Sequence, residues 1–377
     1  MFCPSATDPL PVPRRRRADT DTGALIVGGG PAGCSAAIAI ARAGHRVTVV
    51  ERGPVDSGSW GAVLDDRAAA FLGEIGIAVP GRRVTLRPWI DAGTVVLRPD
   101  LDERLRRRCR DDGVDIVDAE ALTPITDRGL VLGARCRDRN GTTIDIGAEV
   151  LVVADGANST FGRSLGTQRR RDLPYLLGVR QRWATHRAAS AIVTRSLQRD
   201  DGGDLPGLGW ALPDDEGGLT VGITIPSTAR DAEGVNPHQV LERLISRWRD
   251  GGRIDLGEPL GDARGGRVPV GGSVGPIAGP TFLVVGDAAA MAHPVSGLGI
   301  APALRTGTLA GRVVATALAE GDDTALQSYA HSVRSEFAED QRRARNAVRI
   351  IGSPVGRHLV RWSPRLVRIA AAASPGG

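Results

Sequence analysis

The stretch Ala24-Leu-Ile-Val-Gly28-Gly-Gly30-Pro-Ala-Gly33, closed further on by Arg46-Val-Thr-Val-Val50-Glu51, decides the fold. Ala24 to Val27 is a short apolar run bounded by glycine, the pattern of a strand buried in a parallel sheet. Gly28 permits a tight turn out of that strand. Gly30 lets backbone amides approach a diphosphate, and Gly33 lets the next helix pack close to the sheet. That helix spans Cys34 to Ala43 and stops at Gly44. Its N-terminal amides and dipole favour phosphate charge. Arg46 to Val50 is a second strand, and Glu51 at its end stands where a carboxylate accepts a hydrogen bond from a ribose hydroxyl. The plainer alternative is a glycine-rich turn with no ligand, and the order strand, helix, strand, acid counts against it. The acid also counts against a 2′-phosphate, while flavin and nicotinamide dinucleotides both stay open.

Two later stretches narrow this. One is Leu151-Val-Val-Ala-Asp155-Gly156-Ala-Asn-Ser159. The other is Phe282-Leu-Val-Val-Gly286-Asp287-Ala-Ala, followed by Pro294-Val-Ser-Gly297-Leu-Gly299-Ile300. Each is weak alone. In this order the three read as parts of one FAD site, and so as a flavin-dependent oxidoreductase. Asp287 follows a buried strand and can hydrogen-bond a ribityl hydroxyl. Amides around Gly297 and Gly299, before a helix beginning near Ile300, can face the flavin edge where negative charge develops on reduction. The expected cofactor contacts are Gly28, Gly30, Ala32, Gly33, Glu51, Arg52, Asp155, Gly156, Gly286, Asp287, Pro294, Gly297, Leu298, Gly299 and Ile300. Asp155 has a second reading, as a residue that orders its own loop.

The 377 residues suit two intimately packed domains with a large core. The expected class is α/β: a Rossmann-type FAD-binding domain with parallel sheet, helices and a β-meander, an inserted antiparallel sheet for substrate, and a C-terminal helical tail. The expected boundaries are a disordered basic tail over 1–21, an FAD-binding domain split over 22–166 and 265–335, the substrate sheet over 167–264, and helices over 336–377. Helical spacing covers Asp65 to Ile75, Asp100 to Arg110 and Pro237 to Arg249, and a closing helix runs from Gly299 to Leu318. Asn140-Gly141 marks a hairpin within Leu130 to Ile146. Strand-like pieces lie at Val114–Val117, Leu176–Trp183, Ala191–Arg195, Gly209–Leu212 and Leu219–Ile225.

The net charge is +5, and the 48 basic residues are all arginine, which reads as compositional bias. Few aromatics and no basic recognition motif argue against nucleic acid as a partner. No apolar run is long enough to span a membrane. Cys3, Cys34, Cys109 and Cys136 form no close pair, so neither a metal site nor a disulfide framework is expected and a reducing, cytoplasmic setting fits. The run Arg14 to Arg17 is not followed by an apolar segment, unlike a secretion signal. Arginines 342, 343, 345, 349, 357, 361, 365 and 368 recur among apolar residues and Trp362, with Pro354 and Pro364 dividing the segment. A peripheral contact with anionic lipid at the inner membrane face and a merely solvated helical face both stay open.

Between Thr22 and Arg368 the chain resembles the geranylgeranyl reductase family, within the wider class of flavoproteins shared with aromatic hydroxylases. Arg98-Pro-Asp-Leu-Asp102 is similar to the family's Arg-x-x-Phe-Asp element, which implies an FAD contact for Arg98. Ala154 to Ser159 matches its second flavin motif, and Arg267-Val-Pro-Val-Gly-Gly272 the segment before its last one. Gly207-Leu-Gly209-Trp210-Ala-Leu-Pro213, followed by Gly218-Leu-Thr-Val-Gly222, is similar to its Tyr-x-Trp-x-Phe-Pro pocket signature. Leu208 and Leu212 replace the flanking aromatics, Ser57-Gly-Ser-Trp60-Gly61 stands where reductases carry Cys-Gly-Gly, and Leu298 stands where the family has Glu. The resemblance implies that reduced FAD saturates C=C bonds of an isoprenoid or related apolar substrate, with NAD(P)H, a ferredoxin or a separate reductase as transient electron donor. No residue identifies itself as the proton donor. Trp210, Trp60 and His293 are the pocket candidates, each with an ordinary core or surface role as its alternative. The competing reaction is a monooxygenase acting through a flavin hydroperoxide, in specialised metabolism. Ala290 and His293-Pro294, in place of that class's Gly-Asp-Ala-Ala-His, favour the reductase. A halogenase would need the lysine that this chain lacks.

Overall fold

The computed structural model describes residues 22–53, 59–86, 90–185, 190–199, 201–229 and 232–353. The tail read over 1–21, Ser57 and the segment from Pro354 onward lie outside these residues. In chain order the first elements are β1 (Thr22–Val27), α1 (Pro31–Arg42), β2 (Val47–Glu51), β3 (Gly61–Leu64), α2 (Asp66–Glu74), β4 (Arg82–Leu86), β5 (Ile90–Leu97), α3 (Arg98–Asp111), β6 (Asp115–Asp127), β7 (Leu130–Asp138) and β8 (Thr143–Val153). Next come α4 (Thr160–Ser164), β9 (Gln168–Arg169), β10 (Tyr175–Ala184), β11 (Ile192–Gln198), β12 (Asp204–Pro213), β13 (Gly218–Pro226) and α5 (Pro237–Asp250). Last are β14 (Arg264–Pro269), β15 (Val274–Gly275), β16 (Phe282–Val284), α6 (Ile300–Glu320) and α7 (Gln327–Gly352).

The apolar run that opens the motif is the central strand. β1 pairs in parallel with β2 on one side, Ala24 opposite Val47, and with β8 on the other, Ala24 opposite Val150. β6 extends the parallel sheet beyond β2, and β16 extends it beyond β8. β7 joins the far halves of β6 and β8 antiparallel, with the Asn140-Gly141 turn between β7 and β8, so this part is a meander. A strand covered on both faces must be apolar throughout, and Ala24, Leu25 and Ile26 are fully buried. α1 packs against α6 at very short range: a Cβ on Gly307 would lie 2.1 Å from the Ala32 carbonyl oxygen. The strand expected at Val114–Val117 is the start of the much longer β6.

Three further antiparallel sheets lie among the described residues, the smallest a pairing of β9 with β15. β3, β5 and β4 form another. The largest has the order β11-β12-β13-β10-β14. One face of it is covered by α5, where Val179, Val221 and Ile223 meet Leu241, Leu244 and Trp248. The expected boundary at residue 264 falls at the start of β14, which pairs with β10 through Tyr175 opposite Pro269. Likewise α7 runs unbroken through the boundary expected at 335. No helix among the described residues is long and apolar enough to cross a membrane.

Candidate cofactor and substrate site

The turn from β1 to α1 is made by backbone against backbone. Gly28 has φ +106°, and a Cβ there would lie 2.4 Å from the Ala154 carbonyl oxygen at the end of β8. A Cβ on Gly33 would lie 1.9 Å from the Gly28 carbonyl oxygen. Only glycine fits at either position. Gly30 caps α1 without any side-chain acceptor, which leaves the first-turn amides free to receive an anion. Glu51 Oε2 accepts the Gly29 N–H at 2.6 Å, which brings the carboxylate over the turn. Arg98 begins α3, is held by Asp102 at 2.9 Å, and reaches to 3.6 Å from the place a Gly30 Cβ would occupy. Ala32 meets Gly286 across the same turn. Arg52 is exposed, next to these residues in sequence.

The other two motifs converge here because β8 and β16 are neighbours in the sheet. Asp155 Oδ2 accepts the Phe161 N–H at 3.0 Å and so orders its own loop, while Oδ1 is buried with no hydrogen-bond partner among the described residues. Asp287 Oδ1 is likewise buried with no hydrogen-bond partner among the described residues. Burial pushes both carboxyls above the usual carboxylate range, and for Asp287 the nearby Arg98 charge opposes the shift. A buried polar atom left unsatisfied is costly, so Asp287 is set to receive a hydroxyl. Gly299, which caps α6 with no side-chain acceptor, would place a Cβ 3.0 Å from Asp287 Oδ1. Pro294 turns out to pack against Gly271. His293 ties down the same loop: its Nδ1 accepts the N–H groups of Val295 at 3.3 Å and Ser296 at 3.2 Å. Burial pushes this imidazole down to about 4, so it is neutral at pH 7. Uncapped amides, a ribose-ready carboxylate and a buried acceptor together fit a dinucleotide with a polyhydroxyl linker. Among the described residues no group of three His, Cys, Asp or Glu could hold a metal.

Facing this turn is the side of the large antiparallel sheet that α5 leaves uncovered. Register puts Arg180 of β10 opposite Gly222 of β13, and Gly222 opposite Trp210 of β12. The Trp210 ring lies across Gly222, 2.3 Å from where a Cβ would be. Trp210, Val193 and Leu298 pack with Leu212, Val63, Val84, Leu86 and Val95 into one apolar cluster. The loop carrying Leu298 touches this sheet again where Gly297 faces Leu176 and Thr224. Trp60 closes the edge: its carbonyl accepts the Arg98 N–H at 2.9 Å, and the guanidinium groups of Arg98 and Arg180 lie 5.7 Å and 3.6 Å from its ring centroid. Arg180 is absent from the residues expected above. Its signal was the pair Arg180 and Arg182, two apart in a strand and therefore on one face; Arg182 is bound by Asp214, and Arg180 is not.

Residues 24–359 match the family described as lycopene cyclase protein. The menaquinone reductase of Mycolicibacterium smegmatis is 33% identical over 324 residues, covering 78% of this chain and 77% of that one. The digeranylgeranylglycerophospholipid reductase of Methanospirillum hungatei is 29% identical, covering 83% of this chain and 81% of its own. Among solved structures, a geranylgeranyl bacteriochlorophyll reductase-like protein from Thermoplasma acidophilum superposes with a TM-score of 0.74 at 23% identity, covering 93% of this chain and 91% of that one. The chain matches the lycopene cyclase protein family and belongs to the geranylgeranyl reductase family of oxidoreductases.

Proposed function

We propose that this protein is an FAD-dependent reductase that saturates C=C bonds of an isoprenoid or related apolar substrate. The observation that carries the reading is the junction of the two halves: Leu298, on the loop beside the unsatisfied Asp287, packs in the same apolar cluster as Trp210 of the antiparallel sheet. In the reading, the α1 amides and Arg98 take the diphosphate, Glu51 the ribose, Asp287 a ribityl hydroxyl, and the α6 amides the flavin edge. Bound FAD in its reduced form supplies the hydride. Trp210, Leu212 and Leu298 exclude water from the reacting end and orient an apolar chain against it. Saturation adds hydride to one alkene carbon and a proton to the other. His293 is a poor source of that proton, because its Nδ1 is engaged as an acceptor and burial disfavours its charged form. NAD(P)H or a carrier protein is the transient electron source in this reading, and the basic face of α7 is the part suited to a membrane-borne substrate.

The test is anaerobic reduction of the yellow protein, then mixing with an isoprenoid alkene or with oxygenated buffer. The expected result is reoxidation by the alkene without oxygen, with a saturated product by mass spectrometry. Oxygen uptake coupled to a hydroxylated or epoxidised product would replace this reading with the monooxygenase.

A further inference from the structure

Arg180 is a cation of this junction with no acidic partner among the described residues. It lies in the middle of β10, on the face turned toward the flavin loop, with its guanidinium 3.6 Å from the Trp60 ring. Its Nε is buried and has no hydrogen-bond partner among the described residues. Two neighbours show what this fold otherwise does with such a group. Arg182, on the same strand face, donates to both oxygens of Asp214 at 2.8 and 3.1 Å and to Glu216 at 3.1 Å. Arg98, also near the Trp60 ring, has Asp102. Arg180 instead has Gly222 as its cross-strand neighbour on one side and Arg264 on the other, with Trp210 lying over that glycine. Burial, and then the like charge of Arg98, push its guanidinium down to about 10, so it is still protonated at pH 7.

A stacked tryptophan satisfies the face of a guanidinium but not its in-plane N–H groups. A half-buried cation whose Nε–H is buried without an acceptor among the described residues is costly until a partner arrives. The planar fork fits carboxylate or phosphate oxygens in pairs. The apolar cluster around Trp210, Leu212 and Leu298 begins on the same sheet face.

We propose that Arg180 anchors an oxyanion at one end of the substrate, a carboxylate or a phosphate, between Trp60 and Trp210, while the apolar chain lies along Leu212 and Leu298. This substrate is an anionic amphiphile, not a neutral polyprenyl chain. The proposal rests on the reductase reading for the chemistry that follows binding, and on Arg180 alone for the binding itself.

The test is equilibrium binding to the FAD-loaded protein, read by calorimetry and by perturbation of the flavin spectrum, with no turnover required. The probes are geranylgeranoate, geranylgeranyl phosphate and geranylgeraniol. At least one anion should bind about tenfold or more tightly than the alcohol, and the tighter anion identifies the head group. Arg180→Gln should bring all three to within about threefold of one another. Arg180→Lys, which keeps the charge and loses the fork, should hold an intermediate preference. Arg264→Gln, which removes the exposed neighbouring cation, should keep the full preference. Arg180→Gln removes a half-buried charge with no acidic partner among the described residues, so its melting temperature should not fall; Arg180→Lys covers the case in which it does. Equal binding of alcohol and anions by the unaltered protein, a preference that survives Arg180→Gln, or no binding of either anion overturns the proposal. So does loss of FAD with Arg180→Gln, which would make the residue a cofactor ligand. A persistent anion preference with no saturation of any probe would instead overturn the reductase reading.

Discussion

Gly33 and Gly222 are both kept as glycine by a neighbour, and the neighbours differ in kind. A Cβ on Gly33 would meet the carbonyl oxygen of Gly28 at 1.9 Å, whereas one on Gly222 would meet the indole of Trp210 at 2.3 Å. A carbonyl at the end of a central strand cannot move without moving the sheet. An indole can turn to another rotamer at modest cost. The nucleotide end of the site is therefore main chain packed on main chain, and the facing sheet is side chains packed on a bare strand. The first admits little variation. The second can be reshaped by single substitutions while the fold stays as it is, which suits a scaffold that serves different substrates.

Gly33→Ala is the most severe way to test that difference. Overpacking of this kind costs about 3 kcal/mol, and here it also displaces the amides proposed to receive the diphosphate. The protein should purify colourless, with its flavin absorbance lost relative to that at 280 nm and its unfolding midpoint lowered. A yellow Gly33→Ala protein of unchanged stability would mean that the turn yields after all.

Gly222→Ala should act on the other partner. FAD content and melting temperature should stay close to those of the unaltered protein. The displaced indole should lower kcat/KM for an isoprenoid alkene by about tenfold to a hundredfold. Equal loss of FAD from both variants would erase the distinction between the two ends of the site.

The same contrast explains what could be read from the sequence. Gly28 and Gly33 constrain each other within one turn, so local spacing was enough, and the strands on either side identified themselves by being apolar throughout. Asp287 was equally legible, because it follows a buried strand directly. Arg180, Gly222 and Trp210 come from three strands and meet through register. Their strands could be recognised singly, but nothing local states which residues share a row or a face with a distant one. Trp210 was found only because the pocket signature resembles a known one. Arg264-Gly-Gly-Arg267 has no strand pattern of its own, and the edge of β10 supplies the pairing that makes it β14. Pro294 stands inside the motif and also packs against Gly271, a contact between segments that local spacing does not state.

His293 offers the gentlest test, since it serves the loop that joins the two ends of the site. Its Nδ1 accepts the N–H groups of Val295 and Ser296, which only the neutral ring can do. Burial, and then the charge of Arg67, hold its pKa at about 4 against an ordinary value of 6.5. Between those values the unfolded chain binds a proton that the folded chain does not. The stability His293 contributes is therefore complete above about pH 6.5 and is lost as pH falls toward 4. Asp155 and Asp287, raised by burial, act in the opposite direction, so the comparison must be between variants and not along one titration. His293→Asn keeps a side-chain acceptor and removes the titration. At pH 7 the variant should melt below the unaltered protein by roughly 2 °C, and by pH 5 the gap should close. A gap of constant size across that range would mean that the ring is not held neutral, and that the loop between nucleotide turn and sheet is fixed by its backbone alone.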